Sequence, residues 1–139
     1  MEKYYQNRFT SFKNCLWDFE QAKGRDYKND TLVLSGMIAK FNMTFDLAWK
    51  VLKDIVTEYH GVDDYSLGSP RENLTAAFRC GIIEDDKRWL EILKLRNRLA
   101  HDYNSELAYE TCDKIIDEYL EFFKNFQKNI EAYIEKITE

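Results

Sequence analysis

From Thr31 to Tyr59 the chain runs without a proline, and its apolar side chains return every three or four residues over more than one helical face. Leu32, Leu34, Met37, Ile38, Phe41, Phe45, Ala48, Trp49, Leu52, Ile55 and Val56 make up that pattern. A helix so broadly apolar has to be packed by neighbours on several sides. At about 1.5 Å per residue it spans roughly 40 Å, the reach of a bundle helix. One proline and five glycines among 139 residues leave few places for turns. The neighbours must therefore be long elements with few connections, which means helices rather than the strands of a many-turned sandwich.

The flanking segments supply them. Residues 3–23 repeat Tyr5, Phe9, Phe12, Leu16, Phe19 and Ala22 at helical spacing, and Gly24 is a plausible stop. Ser69-Pro70-Arg71-Glu72 is a helix start: Ser69 can cap, Pro70 needs no amide donor at the first position, and Glu72 completes a capping box. The short helix it opens runs to Gly81. Acids at Glu84, Asp85 and Asp86 suit the positive end of another helix, which carries Trp89, Ile92, Leu93, Leu95 and Leu99 towards Tyr103. A last helix is expected from Ser105-Glu106 through Ile137, on a stripe of Ile115, Tyr119, Phe122, Phe126, Ile130 and Tyr133. The expectation is an all-α, up-and-down four-helix bundle with an additional short helix, one domain over residues 1–139.

Three cysteines, Cys15, Cys80 and Cys112, are odd in number, widely spaced and outside any CxxC pair. They provide neither a disulfide framework nor a zinc site, suit a reducing compartment, and read as buried packing residues. The first residues lack an apolar signal core and no run approaches a membrane span, so a soluble, cytoplasmic protein is expected. A net charge of −5 argues against a broad nucleic-acid footprint. The charge is uneven, however. Residues 69–103 hold seven basic side chains against six acidic ones, whereas the remainder holds 13 basic and 19 acidic. A small basic site on an acidic body is what this distribution permits.

That basic segment ends in Arg96-Asn97-Arg98-Leu99-Ala100-His101-Asp102-Tyr103. Histidine is the side chain that takes and gives a proton near neutral pH, and the chain has only two. The other, His60, ends a helix before Gly61 with no evident partner. On a helix Asn97 and His101 share one face, Arg96 and Tyr103 an adjacent one. The set offers a titratable base or acid, a cation, an orienting amide and a phenol. It suits metal-independent RNA cleavage, in which His101 assists attack by the 2′-hydroxyl and Arg96 stabilises charge on phosphoryl oxygens. No metal and no cofactor are required, because the nucleophile belongs to the substrate. Spacing alone favours a plainer reading, in which His101 complements the helix dipole and Tyr103 is a half-buried aromatic.

Arg96-x4-His101-x-Tyr103, with Asn97 after the arginine, resembles the signature of HEPN domains. The branch it matches is encoded beside minimal nucleotidyltransferases (MNT), and includes proteins called nucleotidyltransferase substrate-binding proteins and HepT-like toxins. The similarity covers nearly the whole chain: Phe45-Asp46-Leu47-Ala48-Trp49-Lys50, Ser69-Pro70-Arg71-Glu72, Ala77-Phe78, Gly81-Ile82-Ile83 and Trp89 follow in the expected order. What the resemblance implies is a bundle that forms a homodimer with its two Arg-His motifs facing across a cleft. It also implies a ribonuclease toxin with Arg96 and His101 as the catalytic pair and Asn97 in support. The partner would be a cognate MNT antitoxin, which in one type of the family AMPylates the tyrosine matching Tyr103. The same family also suggests a non-catalytic alternative, a subunit that presents substrate or nucleotide to the nucleotidyltransferase. The chain shows no Gly-Ser followed by paired aspartates of the kind a nucleotidyltransferase needs to hold Mg-nucleotide, and is not expected to be one.

Two further positions are possible phosphate contacts, Arg71 beside its helix start and Lys50 on the central helix. Trp49 next to Lys50 reads first as a core residue. Beyond residue 105, nine acids against four lysines make the last helix a poor RNA platform, and its aromatics read as core or dimer seam.

Overall fold

Asp30 starts the central helix: its Oδ1 accepts from the backbone N–H groups of Leu32 at 3.0 Å and Val33 at 3.3 Å. This is an N-cap that satisfies two donors left open by the first turn. The computed structural model describes residues 4–63, 67–101 and 106–138, and the elements among them are all helical. They are α1 (Tyr4–Glu20), α2 (Thr31–Glu58), α3 (Pro70–Arg79), α4 (Lys87–His101), α5 (Glu106–Lys114), a π-helical turn (Ile115–Tyr119) and α6 (Leu120–Ile137). The all-α expectation is therefore met, and no described helix is long and apolar enough to cross a membrane.

The central role of α2 follows from its pattern. Phe41, Phe45, Ala48, Val51, Leu52, Ile55 and Val56 are fully buried, and they point in several directions around the helix axis. α1, α3, α4 and α5 all pack on it. Leu32 is the exception to the expected stripe: at the first turn, it is 82% exposed.

Pairings along the helices give their directions. Asp18 meets Lys40 and Arg8 meets Asp54, so α1 and α2 run antiparallel. Lys23 meets Glu121 and Glu20 meets Lys124, while Phe12 packs edge-on to Phe126, so α1 and α6 are also antiparallel. The core between them is aromatic, with Phe12, Phe19, Phe41, Phe123 and the Tyr119 ring almost wholly excluded from solvent. Burying one such ring contributes about 1.5–3 kcal/mol.

Several local expectations are corrected. The last helix is one rod, but not a uniform one, because the π turn interrupts its α geometry between Lys114 and Leu120. Core contact then falls on Leu120 and Phe123, and Phe122 is only half-buried. α4 begins at Lys87, where Asp85 Oδ1 accepts from the Lys87 N–H at 2.7 Å. Ser69 caps α3 as expected, accepting from the Glu72 N–H at 3.2 Å. The capping box closes differently, since the Ser69 hydroxyl donates to the Glu72 carboxylate at 3.0 Å. Cys15 and Cys112 are buried, whereas Cys80 is half-exposed. His60 does have a partner: its Nε2 lies 2.6 Å from the Tyr133 hydroxyl, tying the end of α2 to α6.

Candidate functional site

Asp46, Trp49 and Lys50 are spaced i, i+3 and i+4 on α2, so they share one strip of its surface. α4 lies against that strip and brings Arg96 to it. Arg96 Nη2 donates to Asp46 Oδ2 at 2.6 Å and Arg96 Nε to Oδ1 at 2.9 Å, a two-pronged pairing. The Trp49 indole N–H points at the same Oδ1 from 3.4 Å. Lys50 Nζ in turn sits 5.6 Å from the Trp49 ring centroid, a cation–π distance. Lys50, Trp49, Asp46 and Arg96 thus form one connected row across the α2–α4 seam. The Arg96 and Asp46 side chains stay 27% and 30% exposed, so the pair is held yet reachable.

The neighbouring face of α4 looks elsewhere. Asn97 turns away from the seam and lines a groove of about 940 Å³ between α4 and the start of α3. Arg71 stands on the opposite wall. His101 is exposed in the last turn of α4, where with Arg98 it complements the negative end of the helix. Sequence reasoning therefore chose a region that splits into two sides. Arg96 and Lys50 belong to the seam, Asn97 and Arg71 to the groove, and His101 stands at the end of the helix that carries both. Tyr103 lies outside the described residues.

Asp46 was missed as a functional residue, although a signal was present. It is the sole acid between Thr31 and Lys53, on an otherwise apolar helix. A carboxylate in such a place needs a cationic partner or an open path to solvent. Trp49, read as core, is half-buried and packs against the core with its N–H turned towards the site.

Glu91, also in the groove, is engaged from below. The Tyr119 hydroxyl donates to its Oε1 at 2.7 Å, and Lys114 Nζ lies 3.0 Å from the same oxygen. Those two contacts, the Tyr119 hydrogen bond foremost, hold the Glu91 carboxyl below the usual glutamate range. Burial, with the Glu91 hydrogen bond adding to it, pushes the Tyr119 phenol up.

Comparison with known proteins gives the family and the fold. The family model described as nucleotidyltransferase substrate binding protein like matches residues 7–132. A Haemophilus influenzae protein named probable ribonuclease HepT is 30% identical over 93 residues, 66% of this chain. The match spans 63% of that relative's length. Among solved structures, a mutant of the toxin–antitoxin pair MntA–HpeT superposes with a TM-score of 0.76 at 19% identity, covering 92% of this chain and 97% of the other. A tri-AMPylated Shewanella oneidensis HEPN toxin in complex with its MNT antitoxin gives 0.75 at 20% identity, covering 95% and 99%. At those identities the two structures speak to the fold, which is the same helical bundle. The family match extends over nearly the whole chain and bears out the resemblance carried by its motifs: the protein belongs to the nucleotidyltransferase substrate-binding-protein-like family.

Proposed function

We propose that this chain is the HEPN subunit of a two-component toxin–antitoxin pair, a metal-independent ribonuclease toxin restrained by a cognate minimal nucleotidyltransferase. The observation that carries the reading is the two-pronged hold of Asp46 on Arg96, on the same helix that ends in the exposed His101. Two of the five guanidinium N–H donors are engaged by Asp46, which leaves three for phosphoryl oxygens. A positioned cation of this kind acts without reorganising as charge develops.

In the proposed reaction His101 accepts the proton of a ribose 2′-hydroxyl, and that oxygen attacks the adjacent phosphorus. The bond to the 5′-oxygen breaks, the leaving oxygen takes up a proton, and a 2′,3′-cyclic phosphate and a 5′-hydroxyl result. Arg96 and His101 lie about 140° apart around α4 at 100° per residue. One helix therefore directs them to different sides, and a homodimer that faces two α4 helices across a cleft would combine them. AMP transferred to Tyr103, two residues beyond His101 in the sequence, is the proposed means of restraint.

Purified protein is expected to cut RNA in the presence of a chelator, and His101→Ala and Arg96→Ala to abolish the cutting. Equal cleavage by the His101 variant would overturn the assignment. Co-expression with the neighbouring nucleotidyltransferase is expected to add AMP to Tyr103, read by intact mass. The second reading is a non-catalytic subunit that binds nucleotide or substrate for the transferase. It is favoured by the charge balance of the Arg96–Asp46 pair, and it requires a stable complex with the transferase but no RNA cleavage.

A further inference from the structure

The groove between α3 and α4 has a composition unlike the rest of this acidic protein. Arg71, Lys94 and Arg98 line it, and none of the three forms an ion pair with a described residue. Among the described residues that line it, Glu91 is the sole carboxylate, and that charge is already met by Lys114 and the Tyr119 hydroxyl. Glu72, beside Arg71, is turned to the Ser69 hydroxyl. The groove is therefore locally cationic although the chain carries −5. Its direction is fixed by helix geometry. Lys94, Asn97 and Arg98 line it along one strip of α4, and His101 lies on that strip one turn beyond Asn97.

We propose that this groove is a track for the phosphodiester backbone of single-stranded RNA, with Arg71, Lys94 and Arg98 as its phosphate contacts and Asn97 beside the strand. The assignment rests on the RNA reading above and extends it to the nucleotides that flank the cleaved bond. Among the described residues no aromatic side chain lines the groove, and none of them offers the bases a stacking platform there. The track reads charge and leaves base identity unread.

A 2′-O-methylated RNA 12-mer lacks the nucleophile and stays intact, which separates binding from cutting. Its binding to the full chain is followed by fluorescence anisotropy over a series of salt concentrations, with the wild type and the Lys94→Gln/Arg98→Gln variant. Both side chains are exposed and form no ion pair with a described residue, so the variant keeps the fold. Each phosphate contact on a single strand contributes about 0.7 to the slope of log affinity against log salt. The double variant is expected to lower that slope by about 1.4, and to weaken pyrimidine and purine 12-mers by the same factor. An unchanged slope and affinity would overturn the track, while cleavage of ordinary RNA by the wild type would leave the nuclease reading standing. Weaker binding by the variant without any cleavage by the wild type would keep the track and remove the nuclease. A wild type that neither binds nor cuts RNA would remove both.

Discussion

The Arg96–Asp46 pair allows a quantitative test of how the site is held. Asp46→Ala leaves the guanidinium without its carboxylate and the Trp49 N–H without its acceptor. Arg96→Ala leaves the carboxylate with only the long 3.4 Å contact to Trp49. A pair fully open to water is worth about 0.2–1 kcal/mol, and breaking a fully buried one costs about 3–5 kcal/mol. With 27% and 30% of the side chains exposed and two short hydrogen bonds, this pair falls between those limits. A coupling of about 1–2 kcal/mol is the consequence. The assay is a double-mutant cycle of Asp46→Ala, Arg96→Ala and the double variant by urea unfolding, all at one protein concentration. With a urea slope of about 1–3 kcal/mol per molar, the coupling moves midpoints by roughly 0.3–2 M. The double variant should be less destabilised than the two single ones added together, and the difference should shrink in high salt. Additivity to within about 0.3 kcal/mol would refute the clamp as an energetic element and leave it a mere proximity.

Two other outcomes follow from the fold. Glu91 titrates below the usual carboxyl value of 4.5 in the folded chain, chiefly through the Tyr119 hydrogen bond. A depressed acid contributes stability above its unfolded value and loses it as pH falls through the folded one, so Glu91→Gln should narrow its deficit against wild type between about pH 5 and pH 3 in urea midpoints. A deficit constant over that range would exclude the linkage. Gly81 closes α3 at φ 76°, and a side chain there would meet no atom within 4 Å. Gly81→Ala therefore costs only backbone strain, about 1 kcal/mol of unfolding free energy, and an unchanged midpoint would contradict the left-handed cap.

The helices were legible because their signals are local. Apolar spacing, the Ser69-Pro70 start and the Gly81 stop each act within a few residues of the chain. The same is true of the stretch from Arg96 to His101, whose residue types announce their chemistry wherever the helix lies. What could not be read is what depends on a neighbour far away in the chain. Asp46 meets Arg96 across 50 positions, and His60 meets Tyr133 across 73. Before the helices are docked, Asp46 is simply an acid in an apolar run and His60 a histidine at a helix end. The division between seam and groove was hidden for the same reason, since neighbouring residues on α4 acquire different roles only when α2 and α3 cover different sides of it.

The π turn between α5 and α6 sets a counting rule for everything downstream. Such a turn holds one residue more than an α-helical turn of the same reach. Winding the same residues, Ile115–Tyr119, as an α-helix would rotate all that follows by about 100°. Phe123 and Phe126 would swing away from Phe12, and Lys124 away from Glu20, while the Tyr119–Glu91 bond under the groove would lose its register. Side-chain chemistry along this helix can therefore vary widely as the protein diverges. The number of residues between Lys114 and Phe123 and the π turn that absorbs the extra one have to change together or not at all.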